Sequence, residues 1–253
     1  MNSRKFYEEH KNFSYRTLHE YYISPGIRCK FDLLKEHINL NRIFKNGIDL
    51  GSSGNSFLYF LENVVNKSFY DIARFPLNQY LYQNRWNPVC GDITKLPFQD
   101  NAYDFVSALD VLEHVRNDEL AISEISRILK NGGIAIITVP HLMKYYTPQD
   151  NLIGHYRRYD ISKVISRFKR HELKCIDMFG VYGQMMRIAD IQSVNPEKTE
   201  ESLINLRARY ETSALFRSFW IIFVRIGSRI MKLDAKYQPL KKIMNIGFIF
   251  EKK

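Results

Sequence analysis

Cysteine is scarce in this chain, and what there is lies scattered. Cys29, Cys90 and Cys175 are odd in number and share no metal-ligand spacing. That argues against a disulfide framework and a cysteine-bound metal, and it fits reduced thiols in a cytosolic compartment. The opening MNSRKFYEEHKNF has no apolar core, so no export signal is expected. No GxGxxG fingerprint occurs, which weakens a nicotinamide or flavin reading. There is no internal repeat and no low-complexity tract. Acidic residues are in deficit: 27 Asp and Glu stand against 37 Lys and Arg, a formal charge of +10.

What is present suits one α/β domain with additions. The chain has 253 residues, 45% of them hydrophobic. Its positive charge gathers at one end. Residues 203–253 hold five arginines and six lysines against only Glu211, Asp234 and Glu251. A basic end suits anionic lipid, nucleic acid or an acidic substrate, or is a solvated face.

Residues 1–42 read as N-terminal helices. Glu8–Tyr22 and Gly26–Ile38 are helix-like, parted by the breaker Ser24-Pro25-Gly26. Gly47–Leu50 reads as the first strand, Ser56–Val65 as the first helix, Lys67–Ile72 as the second strand and Pro88–Cys90 as a short third. Tyr103–Leu109 (YDFVSAL) suits a strand buried on both faces. In the next helix Asp118 is the expected cap, Ala121, Ile122, Ile125, Ile128 and Leu129 share a face, and Lys130 suits the last turn. Gly132 and Gly133 are expected to supply a left-handed ending, and Ile134–Val139 a buried strand before Pro140. Asp160 is the expected cap of Ile161–Arg170, and Leu173–Phe179 and Asn245–Glu251 complete seven strands.

The stretch Gly91–Pro140, GDITKLPFQDNAYDFVSALDVLEHVRNDELAISEISRILKNGGIAIITVP, is the most informative. Its acidic GDI, LPF, LEHV and LK-GG, in that order, resemble the cofactor domain of class I S-adenosylmethionine-dependent methyltransferases of the small-molecule type. The resemblance covers residues 47–179 and 245–251. It implies a Rossmann-like, mostly parallel seven-stranded sheet whose last strand is antiparallel, with a helical cap. The domain plan is N-terminal helices at 1–42, a core of 43–179 and 245–253, and a helical insertion at 180–244.

The same resemblance implies S-adenosylmethionine as cofactor, S-adenosylhomocysteine as its product, and a set of contacts. The loop Asp49-Leu50-Gly51-Ser52-Ser53-Gly54-Asn55 stands where the family carries acid-x-Gly-x-Gly-x-Gly. Ser53 and Asn55 replace the second and third glycines, and each is small or tolerant enough of left-handed backbone for the turn to survive. A ligand there would meet free N–H groups at a helix start. Asp49 and Gly51 would hold the methionine part, with Ser52 beside them. Asp71 would accept the ribose hydroxyls, Asp92 and Ile93 would contact adenine, and Asp110 would border the sulfonium. Each acid has an alternative reading as a cap or turn residue. No metal is expected.

Methyl transfer rests mainly on aligning a nucleophile, so cofactor motifs do not name the acceptor. A base is needed for a hydroxyl. Candidates are His114 in LEHV, His141 after Pro140, and His155. Gly154-His155-Tyr156-Arg157-Arg158-Tyr159 resembles a GH-x-RRY element of some of these enzymes. There Arg157, Arg158 and Tyr159 are substrate candidates, the arginines for an anionic group. The alternative is that they fasten the loop.

Within the insertion, Ala214–Met231 reads as a basic amphipathic helix. At 100° per residue, Arg217, Ser218, Arg225, Ser228, Arg229 and Lys232 share a sector of roughly 120°. Leu215, Phe216, Phe219, Ile222, Phe223, Ile226 and Ile230 lie opposite. Two readings stay open: a peripheral membrane contact through 214–232, or a cover for the substrate pocket or a homodimer partner. The expected protein is thus a cytoplasmic or membrane-peripheral methyltransferase acting on a small or lipid- or sugar-linked acceptor with an anionic group. The alternatives are a nucleic-acid methyltransferase, against which stands the lack of an Asn/Asp-Pro-Pro-Tyr-type motif, and a non-catalytic cofactor-binding module.

Overall fold

A computed structural model describes residues 3–9, 16–81, 86–186 and 196–253. Its helices are α1 (Ser3–Glu9), α2 (Glu20–Ile23), α3 (Pro25–His37), α4 (Arg74–Leu77), α5 (Asp118–Ile128), α6 (Pro148–Leu152), α7 (Ile161–Arg170), α8 (Pro196–Thr212) and α9 (Ala214–Tyr237). The strands are β1 (Phe44–Leu50), β2 (Val64–Asp71), β3 (Trp86–Cys90), β4 (Tyr103–Leu109), β5 (Leu129–Pro140), β6 (Leu173–Tyr182) and β7 (Asn245–Lys252).

The strands form one sheet in the order β3-β2-β1-β4-β5-β7-β6. The first five run parallel. β7 inserts between β5 and β6, antiparallel to both. The expected mostly parallel sheet with an antiparallel last strand is therefore present.

Strand β4 shows why the sheet is buried on both faces. Phe105 points into an aromatic-rich core with Phe31, Phe44, Phe57 and Phe69 under α3. Its neighbours Val106 and Ala108 enter the other core, with Ile122, Ile125 and Phe168 from α5 and α7. Each fully buried large side chain contributes roughly 1.5–3 kcal/mol. The order reverses between β1 and β4, where ligands of such sheets bind beyond the strand ends.

Several local expectations are corrected. Ser56–Val65 is not a helix: it is one 3₁₀ turn, Phe57–Phe60, before β2 begins at Val64. Pairing of Val64 beside Phe44 captures the end of that segment for the sheet. The argument from free N–H groups at a first-helix start therefore lapses, and the Leu58 N–H is taken by Ser56 Oγ at 3.1 Å. Glu8–Tyr22 is not one helix. Residues 10–15 lie outside the described residues, and 16–19 are not helical.

Asn117, not Asp118, caps α5. The Asp118 carboxylate is buried and instead takes Arg157, Arg167 and the Tyr159 hydroxyl. Lys130 lies in β5 rather than in a last helical turn, and Gly132 (φ +70°) turns inside that strand while Gly133 is not left-handed. Asp160 occupies the N-cap of α7 without a side-chain bond to it, and its carboxylate meets Lys163 at 3.0 Å.

Among the described residues of 180–244, α8 and α9 dominate. α9 lies along α2 and α3: Trp220 Nε1 donates to the Ile23 carbonyl of α2 at 2.9 Å, and Lys232 and Lys236 both meet Glu36 of α3 at 2.6 Å. No helix of the described residues is long and apolar enough to cross a membrane.

Candidate functional site

A cavity of about 680 Å³ opens over the carboxyl ends of β1 to β5. Its size falls within the ~300–1,000 Å³ of small-molecule sites. It has two halves that meet at Asp110.

The first half is built on β1, β2 and β3. Asp49, at the tip of β1, accepts from Ser107 Oγ at 2.6 Å and from Ser56 Oγ. Burial pushes its carboxyl up to about 6, although both hydroxyl donors pull the other way. Gly51 holds φ +72°, and a Cβ there would sit 2.4 Å from Val111 Cγ2. Ser53 is the residue that adopts left-handed backbone in place of glycine, at φ 46°, and its N–H donates to Asp71 Oδ2 at 2.9 Å. Asn55 does not have positive φ, and its buried Oδ1 has no hydrogen-bond partner.

Asp71 is clamped, with Oδ1 accepting from the Ala73 N–H at 2.8 Å. Each oxygen keeps a lone pair for a ligand hydroxyl. Asp92 is exposed. Its Oδ1 accepts from the Thr94 N–H and hydroxyl, both at 2.8 Å, and Ile93 beside it is buried. Asp49, Gly51, Ser52, Ser53, Asn55, Asp71, Asp92 and Ile93 all line this half.

Asp110 ends β4 with φ 56°. Lys30 Nζ from α3 donates to its Oδ2 at 2.7 Å, and Thr138 Oγ1 and Asn245 Nδ2 donate to Oδ1 at 2.8 and 2.7 Å. Burial alone would push this carboxyl up. The Lys30 ammonium and the other donors override it and hold Asp110 down at about 2.

The second half lies beyond β4 and β5. Glu113 is fully buried, and neither carboxyl oxygen has a hydrogen-bond partner. Burial, then the Asp110 charge, pushes its carboxyl well above the ordinary value. His114 Nδ1 lies 2.8 Å from the Tyr7 hydroxyl, and burial pulls its ring down to about 3. The His155 and His114 ring centres are 4.5 Å apart. His155 Nδ1 lies 2.6 Å from Asp150 Oδ1. A carboxylate only accepts, so Nδ1 carries a proton, and Nε2 points away from Asp150, 3.8 Å from Glu113. Burial would raise Asp150, but His155 and Arg158 hold it far below its ordinary range.

The histidine expectations divide. His114 and His155 come together at the cavity. His141 does not line it: this buried ring has Nδ1 3.0 Å from the Ile243 carbonyl. The paired arginines are engaged elsewhere. Arg157 does not line the cavity and is held by Asp118 at 2.9 Å and the Arg116 carbonyl at 2.8 Å. Arg158 does line it but grips Asp150 through Nε and Nη2. Tyr159 is packed in the core, its hydroxyl donating to Asp118 at 2.8 Å. The GHYRRY loop is thus fastened by two buried aspartates, which removes the physical basis for a free anion-binding pair there.

Sequence reasoning missed Lys30, Glu113 and Asp150. Lys30 sits on an N-terminal helix whose facing no local pattern reveals. Glu113 adjoins His114 in LEHV, but its isolation is a property of packing. Asp150 carried only a helix-start signal, Thr147-Pro148. Glu113, His114 and His155 offer three ligand atoms within 4.8 Å of one another. That is looser than the roughly 3.3 Å between tetrahedral zinc ligands, and Tyr7 and Asp150 already engage a nitrogen of each ring.

Residues 48–137 match the family described as a methyltransferase domain. An uncharacterised protein of Methanocaldococcus jannaschii is 39% identical over 92 residues, 36% of this chain and 39% of its own length. A demethylmenaquinone methyltransferase of Mycobacterium tuberculosis is 25% identical over 160 residues, 61% of this chain and 58% of its own. The chain therefore spans less than two thirds of either relative.

Among solved structures, phosphoethanolamine N-methyltransferase 2 of Haemonchus contortus superposes with a TM-score of 0.63 at 17% identity, covering 100% of this chain and 60% of that one. A putative sarcosine dimethylglycine methyltransferase of Galdieria sulphuraria gives 0.59 at 19%, covering 90% and 86%. Residues 48–137 match a methyltransferase domain, and the sheet built around them gives this chain the Rossmann-like fold that these methyltransferase structures share.

Proposed function

We propose that the cavity binds S-adenosylmethionine in its first half and methylates a small, lipid-like acceptor in its second. The observation that carries this is the single cavity joining the Gly51–Ser53 turn, Asp71 and Asp92 to Glu113, Asp150 and His155. The first half fits the cofactor: a clamped carboxylate stands at the end of β2, another at the end of β3, and the buried Asn55 Oδ1 lacks a partner. Asp71 would hold the ribose, Asp92 and Ile93 the adenine, and the loop from Asp49 to Asn55 the methionine part. When bound, S-adenosylmethionine supplies an electrophilic methyl group.

The chain's own residues do the rest. Asp110 presents its carboxylate where the two halves meet, fixed by Lys30, Thr138 and Asn245. Asp150 orients His155 so that Nε2 can take the proton an acceptor loses on methylation. Burial disfavours charge on both Glu113 and His114, which leaves the Asp150–Arg158 pair as the charged groups of that corner. Ile27, Phe31, Ile153 and Met186 give the cavity apolar wall, which suits a lipid-like acceptor of the kind named for the mycobacterial relative.

The test is incubation with methyl-tritiated S-adenosylmethionine and a demethylated isoprenoid quinone, or a total lipid extract. Label entering the organic phase is expected, and it should fall when His155 is replaced by Gln. No transfer to either acceptor, with cofactor binding intact, would overturn the acceptor class.

A further inference from the structure

We infer that α9 seats the protein on an anionic phospholipid surface. The helix has three sides. Val224, Ser228 and Ala235 are buried, and Gly227 lies against Pro25 at the start of α3, where an added Cβ would be 3.3 Å from Pro25 Cβ. Ser228, expected on the polar sector, is thus an inward residue. The side expected to cover a pocket faces solvent instead. Leu215 is 88% exposed and Phe219 69%, and Ile222, Phe223, Ile226 and Ile230 join them. At 100° per residue these six span roughly 100°. No residue of α9 lines the cavity, which corrects the expectation of a lid from this helix.

The third side decides the occupant. Arg225 and Arg229 are exposed along one edge of the apolar stripe, and neither has a carboxylate partner among the described residues. Lys232 and Lys236 lie on the same side and share the single carboxylate of Glu36, which leaves a net positive charge there. The one acid of the helix, Asp234, accepts from the Met185 N–H at 2.8 Å instead of facing the stripe. An apolar stripe edged by unpaired cations and lacking acids complements lipid phosphates above acyl chains. Two like-charged edges meeting in a dimer would not gain that complement.

The helix is too polar to cross the bilayer and lies along it, with α3 behind. Pro25 and Gly26 touch α9, while Ile27, Lys30 and Phe31 of the same helix line the cavity. A surface contact on α9 is thereby one helix from the acceptor half. The inference stands without methyl transfer, because vesicle binding is read directly.

The full chain is sedimented with vesicles of phosphatidylcholine alone and with vesicles containing phosphatidylglycerol. Binding to the anionic vesicles is expected, weakened by salt. Arg225→Glu with Arg229→Glu should cut it by roughly tenfold or more, and Phe219→Ser with Ile226→Ser should abolish it. Both double variants should keep the wild-type circular dichroism and S-adenosylhomocysteine affinity. Wild-type protein that stays in the supernatant overturns the inference. So does equal binding to neutral vesicles, or a dimer in ultracentrifugation that Phe219→Ser dissolves, which would make the stripe an interface between copies.

Discussion

Lys30 Nζ lies 2.7 Å from Asp110 Oδ2, tying an N-terminal helix to the tip of the central strand β4. Lys30→Met would leave the part-buried Asp110 with only its Thr138 and Asn245 donors. A loss of roughly 1.5–3 kcal/mol at neutral pH is expected in urea unfolding, the range for a hydrogen bond between charged groups. The folded carboxyl sits at about 2, below its unfolded value of about 3.9. Its contribution is therefore present above the unfolded value and lost as pH falls through the folded one. The gap between wild type and variant should close as pH is lowered towards the folded value. A gap that persists there would mean the pair is not its source.

Glu113 works in the opposite sense. Its folded pKa is raised, so the protonated acid is compatible with folding at low pH and costs stability as pH rises above the unfolded value of about 4.3. Glu113→Gln should match the wild type near pH 4 and exceed it at pH 8. A variant less stable at pH 8 would show that the carboxylate has a partner.

Gly51 combines positive φ with a closed space. Gly51→Ala should lose more than about 1 kcal/mol of stability. Adding Val111→Ala should restore only the steric part, because the strained φ remains. Full restoration would place the whole cost in the 2.4 Å approach to Val111.

His155→Gln should lower kcat by roughly 10²-fold or more while leaving cofactor affinity unchanged. Asp150→Asn should do the same less strongly, and it should also lower the melting temperature, since Arg158 loses its partner. An unchanged kcat in His155→Gln removes the proton-accepting role.

The strands were readable from their apolar cores: Tyr103–Leu109 is a strand with the expected bounds, whereas β1, β2 and β5 begin earlier than expected, at Phe44, Val64 and Leu129. The first helix was misread because Phe57, Leu58, Phe60 and Leu61 satisfy a helical pattern, yet the segment between two paired parallel strands holds only one 3₁₀ turn. In the site, acids at strand ends were legible from position alone. Partnering was not. Arg157 and Arg158 look like an anion clamp until Asp118, far off in sequence, and Asp150 are brought against them. The α9 stripe shows the same limit: its amphipathic pattern was plain, but which side faces in depends on Gly227 meeting Pro25 of α3, and no local pattern contains that.

The central claim is that the half-cavity over β1, β2 and β3 is an S-adenosylmethionine site. Equilibrium dialysis of the full chain against tritiated S-adenosylmethionine tests it most directly. Saturable binding at one molecule per chain is expected, displaced by S-adenosylhomocysteine and weakened by about 1.5–3 kcal/mol in Asp71→Ala for each charged hydrogen bond lost. Absence of saturable binding by folded wild-type protein, or equal affinity in Asp71→Ala, would contradict it.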